Sequence, residues 1–171
     1  MWSQLRKAAQ KGKVESVKQL VARGAPVNGE GVDGLTALHC AAEAGHVGTA
    51  HALVELGANV RSLSTDGRHT TPLALAAWRG HLGVVKALVE LGADVQAEWD
   101  GATALHCATE EGHVEVVKAL LEFGADVHAL EKDGYSALSA AARFGHAEVV
   151  KVLLDGGSVR GALQRRAAFA I

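Results

Sequence analysis

Histidine, cysteine and glutamate are the side chains of this sequence that could do chemistry, and their spacing decides whether they can. Nine histidines raise the question of a metal, because neutral imidazole is a common zinc ligand. Six of them, His39, His46, His81, His106, His113 and His146, recur at two fixed offsets within similar segments. The other three, His51, His69 and His128, lie far apart, with no H-x-x-x-H pair and no cysteine beside them. No metal site is therefore expected. Ser136 and Ser139 lack the G-x-S-x-G elbow of a nucleophilic serine. Glu110 and Glu111 are adjacent, and neighbours on a helix point away from each other, so they are not a paired-carboxylate site. The glycines form neither of the usual phosphate-cradling patterns. The sequence points to a non-catalytic protein without a cofactor.

The elements that position these residues repeat. Asp-Gly occurs at Asp33-Gly34, Asp66-Gly67, Asp100-Gly101 and Asp133-Gly134, and Gly-His at Gly45-His46, Gly80-His81, Gly112-His113 and Gly145-His146. Aligned on Gly-His, the segments read TALHCAAEAGH (36–46), TPLALAAWRGH (71–81), TALHCATEEGH (103–113) and SALSAAARFGH (136–146), with SQLRKAAQKGK from Ser3 in the same register. An aliphatic stretch such as VEVVKALLEFGADV (114–127) follows each one. A period of about 33 residues signals a stacked-repeat architecture.

Thr36, Thr71, Thr103 and Ser136 suit the N-cap of a first helix, with Pro72 in its first turn. Gly45, Gly80, Gly112 and Gly145 close that helix, and Gly57, Gly92 and Gly124 close a second one rich in Val and Leu. The first helix is rich in Ala and Cys. Small side chains pack closer than large ones, so the stack should curve with the first helices inside. Two helices of about ten residues are marginal alone, and stability must come from neighbouring units. Cys40 and Cys107 occupy the same position two units apart. With about 8–10 Å per layer they lie beyond the ~7 Å limit for a disulfide, as small core residues of a reducing compartment.

The pattern resembles the ankyrin-repeat family, whose unit carries T-P-L-H-x-A, then G-H, then G-A-D-V. The resemblance implies an all-α ankyrin-repeat solenoid of helix-turn-helix units joined by extended β-hairpin-like loops. It implies a single domain over residues 1–171, with an N-terminal cap (1–32), units at 33–65, 66–99, 100–132 and 133–160, and residues 161–171 as a C-terminal cap or tail. It also implies that the six motif histidines bond backbone and threonine groups within and between units. Departures are local: Ala37, Ala104 and Ala137 replace the motif proline, and Leu75 and Ser139 replace its histidine. The loop before Thr71 is two residues longer than its counterparts, and the loop before Asp100 is one shorter than that before Asp66. The last unit reads GGSV (156–159) in place of G-A-D-V. The sequel RGALQRRAAFAI is either a partial capping helix or a frayed tail.

Charge separates the ends from the body. The net of −2 combines +5 in residues 1–23, +3 in residues 160–171 and −10 between them. A nucleic-acid binder carries a basic stripe through its body, so none is expected here. No apolar run reaches the roughly 18 residues of a membrane span, and charges interrupt the N-terminus where a secretory signal would need an apolar region. A cytoplasmic monomer, with the nucleus as a second location, is the expectation.

What remains is a surface. In the resembled family, loop tips and the ends of first helices hold protein partners. By register these are Trp2, Gln10 and Lys11, then Leu35, Glu43 and Ala44, then His69, Thr70, Trp78 and Arg79. Trp99, Ala102, Glu110, Glu111, Tyr135, Arg143 and Phe144 complete the set. Five of the seven aromatics fall on it, and Trp, Tyr and Arg are frequent interface anchors. The expected function is a protein-interaction module that uses its concave face. Alternatives are a regulatory or targeting segment of a larger protein, or a small-molecule or lipid-headgroup site near Arg6 and Lys7.

Overall fold

A computed structural model describes residues 1–157. The segment from Ser158 on, including the expected C-terminal cap, lies outside the described residues. Helices come in pairs: α1 (Trp2–Gln10) with α2 (Val14–Ala22), α3 (Ala37–Glu43) with α4 (Val47–Glu55), and α5 (Pro72–Trp78) with α6 (Leu82–Glu90). After a short hairpin of β1 (Glu98–Trp99) and β2 (Ala102–Thr103) come α7 (Ala104–Glu110) with α8 (Val114–Glu122), then α9 (Ala137–Phe144) with α10 (Ala147–Gly157). None of these helices is long and apolar enough to cross a membrane. This is an all-α repeat solenoid with very little strand.

The pairs stack into two rows. First helices pack on first helices (α1, α3, α5, α7, α9), second helices on second helices, and among the described residues no substantial packing skips a unit. Leu5, Leu38, Leu73 and Leu105 bury one rung of the first row, and Leu53, Leu88, Leu120 and Leu153 bury the matching rung of the second. Between them lie the buried alanines Ala9, Ala41, Ala76, Ala108 and Ala141. First helices come into closer backbone contact along the stack than second helices do, in keeping with the small alanines between them.

Polar groups fix the register. Thr71 Oγ1 accepts from the backbone N–H of Ala74 at 3.0 Å, and Ser136 Oγ from Ser139 at 3.2 Å. At Thr36 the cap is reciprocal. His39 Nε2 donates to the Thr70 carbonyl at 2.8 Å, which leaves Nδ1 to accept from the Thr36 N–H at 3.2 Å and from its hydroxyl at 2.9 Å. His106 repeats this with Thr103 and the Ala129 carbonyl. The second histidine set joins the units. His46, His81, His113 and His146 donate from Nε2 to the carbonyls of Gln10, Glu43, Trp78 and Glu110. Each acceptor is the last residue of the preceding first helix, where a carbonyl has no partner within its own helix. Each ring also lies on a glycine: a methyl group placed on Gly45 would come within 2.8 Å of the His81 ring. All six motif histidines are thus structural, as the resemblance implied.

Candidate functional site

The loops between units close in three ways, and each sets its tip differently. Before α3, the Gly31 N–H bonds the Leu35 carbonyl around Val32, Asp33 and Gly34. The loop before α9 does the same, Glu131 to Tyr135. The longer loop before α5 closes between the Ser64 N–H and the Thr70 carbonyl at 2.9 Å, with His69 at a positive φ of 57°. The loop that is one residue shorter forms a two-residue hairpin. Asp100 and Gly101 both take positive φ, 49° and 84°, the geometry of a tight turn between twisted strands. Trp99 pairs with Ala102 beside it.

That hairpin holds Trp99 against Trp78, ring centroids 6.1 Å apart and edge to face at 69°. Both indoles are half-buried. Trp78 Nε1 donates to Glu111 at 2.9 Å, and Arg79 lies over the Trp78 ring at 4.3 Å. Arg79 also reaches back one unit to Glu43 at 2.6 Å. A second cluster forms at the fifth unit, where Arg143 stands 5.8 Å from the Tyr135 ring and 5.7 Å from that of Phe144. Phe144 stacks on His146. Tyr135 and Phe144 are 45% and 51% exposed. Between the clusters sits Glu110, whose carboxyl is pushed up by burial and then by Glu131 and Glu111, with Arg143 opposing.

The structure thus brings Glu43, Trp78, Arg79, Trp99, Glu110 and Glu111 together and sets Tyr135, Arg143 and Phe144 beside them. Trp2, 41% exposed, and Lys11, also exposed, stand apart on α1 and at its C-cap. His69 is exposed at its loop tip. Thr70 must be corrected. It is 3% exposed, its N–H is taken by Ser64 Oγ and its carbonyl accepts from Ser64 and His39, so it belongs to the loop's closure and not to the surface. Arg6 is likewise committed: its guanidinium pairs with Asp33 and its side chain is 16% exposed. Of these two cations near the N-terminus, Lys7 is exposed and has no ion pair among the described residues.

An open groove of about 510 Å³ runs between Trp99, Cys107, Glu110 and Glu131, rimmed by Arg68 and Lys132. Cys107 is 4% exposed and its thiol is pushed up to about 12 by burial and then by Glu110. Burial also raises the Cys40 thiol, against the lowering influence of Arg6. Neither is a poised nucleophile. Among the described residues no group of His, Cys, Asp and Glu is arranged to hold a metal ion. The sequence reading missed Glu131 and the groove. The shortened loop was the available signal, because with one residue fewer the chain turns at Asp100-Gly101 as a two-residue hairpin.

A family model described as ankyrin repeats (3 copies) matches residues 5–99 and again 95–161. No curated protein matches the chain at a significant level.

Proposed function

The chain belongs to the ankyrin-repeat family, whose repeats are generally protein–protein interaction modules, and from that premise we propose that it grips one folded partner protein across its first-helix row and loop tips. The observation that carries this is the connected run from Glu43 through Arg79, Trp78 and Trp99 to Glu111, with Arg143, Tyr135 and Phe144 alongside. These side chains bridge neighbouring units and are held before any partner arrives. Preorganised aromatic and arginine anchors lose little freedom on binding, and such residues dominate interface energies. The chain works as a monomer in a reducing compartment, which suits two free, buried thiols.

The test is affinity capture followed by mass spectrometry with three proteins. These are the native chain, a triple variant (Trp78→Ala, Arg79→Ala, Phe144→Ala) and Lys86→Glu on the exposed face of α6. Proteins enriched by the native chain and by K86E, and lost from the triple variant at unchanged helicity, are the expected result. Equal enrichment by all three overturns the proposal.

A further inference from the structure

We propose that the groove beside Trp99, edged by Glu110 and Glu131, is the docking site for an extended lysine- or arginine-bearing segment of the partner. This specification rests on the interaction role proposed above.

Along the surface, most aromatics that face outward already hold a cation from their own chain. Arg79 covers Trp78 at 4.3 Å, and Arg143 serves Tyr135 and Phe144. Among the described residues no cation stands over Trp99, although it is a wall of the groove. A guanidinium or ammonium over an indole face is favourable, and more so when partly desolvated. The fold builds this contact three times internally and, among the described residues, leaves two indoles without one, Trp2 on α1 and Trp99, of which Trp99 lines the acidic groove.

The carboxylates point the same way. The Glu110 and Glu131 side chains take part in none of the hydrogen bonds or ion pairs among the described residues, whereas Lys132 is drawn to Asp100 at the rim, 3.4 Å away. Four carboxylates line the groove against two cations. Burial and then the two neighbouring glutamates disfavour the charge on Glu110, and an incoming cation offsets the repulsion and favours the charged form. The acidic body, at −10 between the basic ends, steers such a segment to this face. Size sets the occupant. About 510 Å³ admits a few side chains of an extended strand and no folded domain. Cys107, small and 4% exposed, is among the residues that line it. The two-residue hairpin holds Trp99 in place without a partner.

The experiment titrates the full chain into a fluorescein-labelled peptide of alternating arginine and glycine, read by fluorescence anisotropy at low and physiological salt. A peptide of alternating glutamate and glycine is the counterpart. The native chain should bind the arginine peptide and not the glutamate one. Trp99→Ala and the double variant E110Q/E131Q should each weaken binding about tenfold, the scale of a lost interface anchor. The double variant E90Q/E122Q removes two charges from exposed second-helix ends and should stay within about twofold, since distant exposed charges are screened. Equal weakening by the two double variants, indifference to Trp99→Ala, or equal binding of both peptides overturns the groove. So does absence of binding, the result if another segment of this chain or a second copy fills it. Intact circular dichroism spectra exclude unfolding as the cause of any loss. Partner capture lost in the Trp78/Arg79/Phe144 variant while peptide binding ignores the groove variants defeats this inference alone. Capture indifferent to that variant defeats the interaction face.

Discussion

Replacing Gly45 with alanine isolates the joint between units. Gly45 sits at φ +79°, directly after the C-cap Ala44 of α3. An L-residue in that left-handed region costs about 1–2 kcal/mol. The added methyl would also meet the His81 ring at 2.8 Å from Nδ1 and 2.9 Å from Cε1, so the ring must move. Moving it strains or breaks the 3.0 Å bond from His81 Nε2 to the Glu43 carbonyl, worth about 0.5–1.5 kcal/mol. The sum is about 1.5–3.5 kcal/mol. Gly57 supplies the reference, since it has φ +95° and nothing within 4 Å of an added methyl. Gly57→Ala should therefore show the backbone part alone, about 1–2 kcal/mol. Urea unfolding followed by circular dichroism at 222 nm measures both. The decisive arm is the double-mutant cycle with His81→Ala, in which Gly45→Ala should cost no more than Gly57→Ala. If Gly45→Ala costs the same with and without His81, the ring does not constrain the glycine and the account of the joint is wrong.

Two further outcomes follow from the same structure. Leu120, fully buried in α8, should lose about 2–5 kcal/mol on truncation to alanine, read by the same urea titration; a loss under 1 kcal/mol would mean that the second row is not close-packed there. His39 titrates below its ordinary value because burial disfavours its charge, with Arg6 adding to this and the Thr70 carbonyl, Glu30 and Asp66 opposing. The folded state then binds fewer protons than the unfolded one, so stability falls as pH drops below about 6.5, by up to ~1.4 kcal/mol per pH unit. His39→Gln should flatten the pH slope of the unfolding free energy between pH 7 and 5, and an unchanged slope would remove His39 as its source.

The repeat itself was legible because capping and termination are local. Thr71 before Pro72 and glycine at the close of each helix specify an element without reference to anything distant. The histidines were legible through the resemblance, which gave them partners in neighbouring units. Thr70 was misplaced for a physical reason. Its register equivalents Leu35, Ala102 and Tyr135 lie at loop ends of other lengths, and in an extended segment a change of length can turn a side chain to the opposite side. The two extra residues close through Ser64 and carry Thr70 inward. The Arg6 to Asp33 pair joins two units, and the proximity of Glu131 to Glu110 joins a helix end to the loop that leads into the next unit; which residues meet in either case depends on the stacking itself. Among the described residues the buried core is mainly Ala, Val and Leu; Trp2, Tyr135 and Phe144 are exposed, whereas Trp78, Trp99 and Phe123 pack partly buried against that core.

Among the described residues each helix pair packs mainly on its neighbours, and this also decides how the molecule bears load. A pull applied at the two ends passes through every interface in series, so all of them carry the same tension and the weakest gives way first. Its neighbours keep their own contacts when it does. Extension should therefore proceed in discrete steps of one helix pair, and the remaining stack should recoil and rebind when the tension is released. A partner spanning several units would act as a splint, tying together interfaces that otherwise yield one at a time.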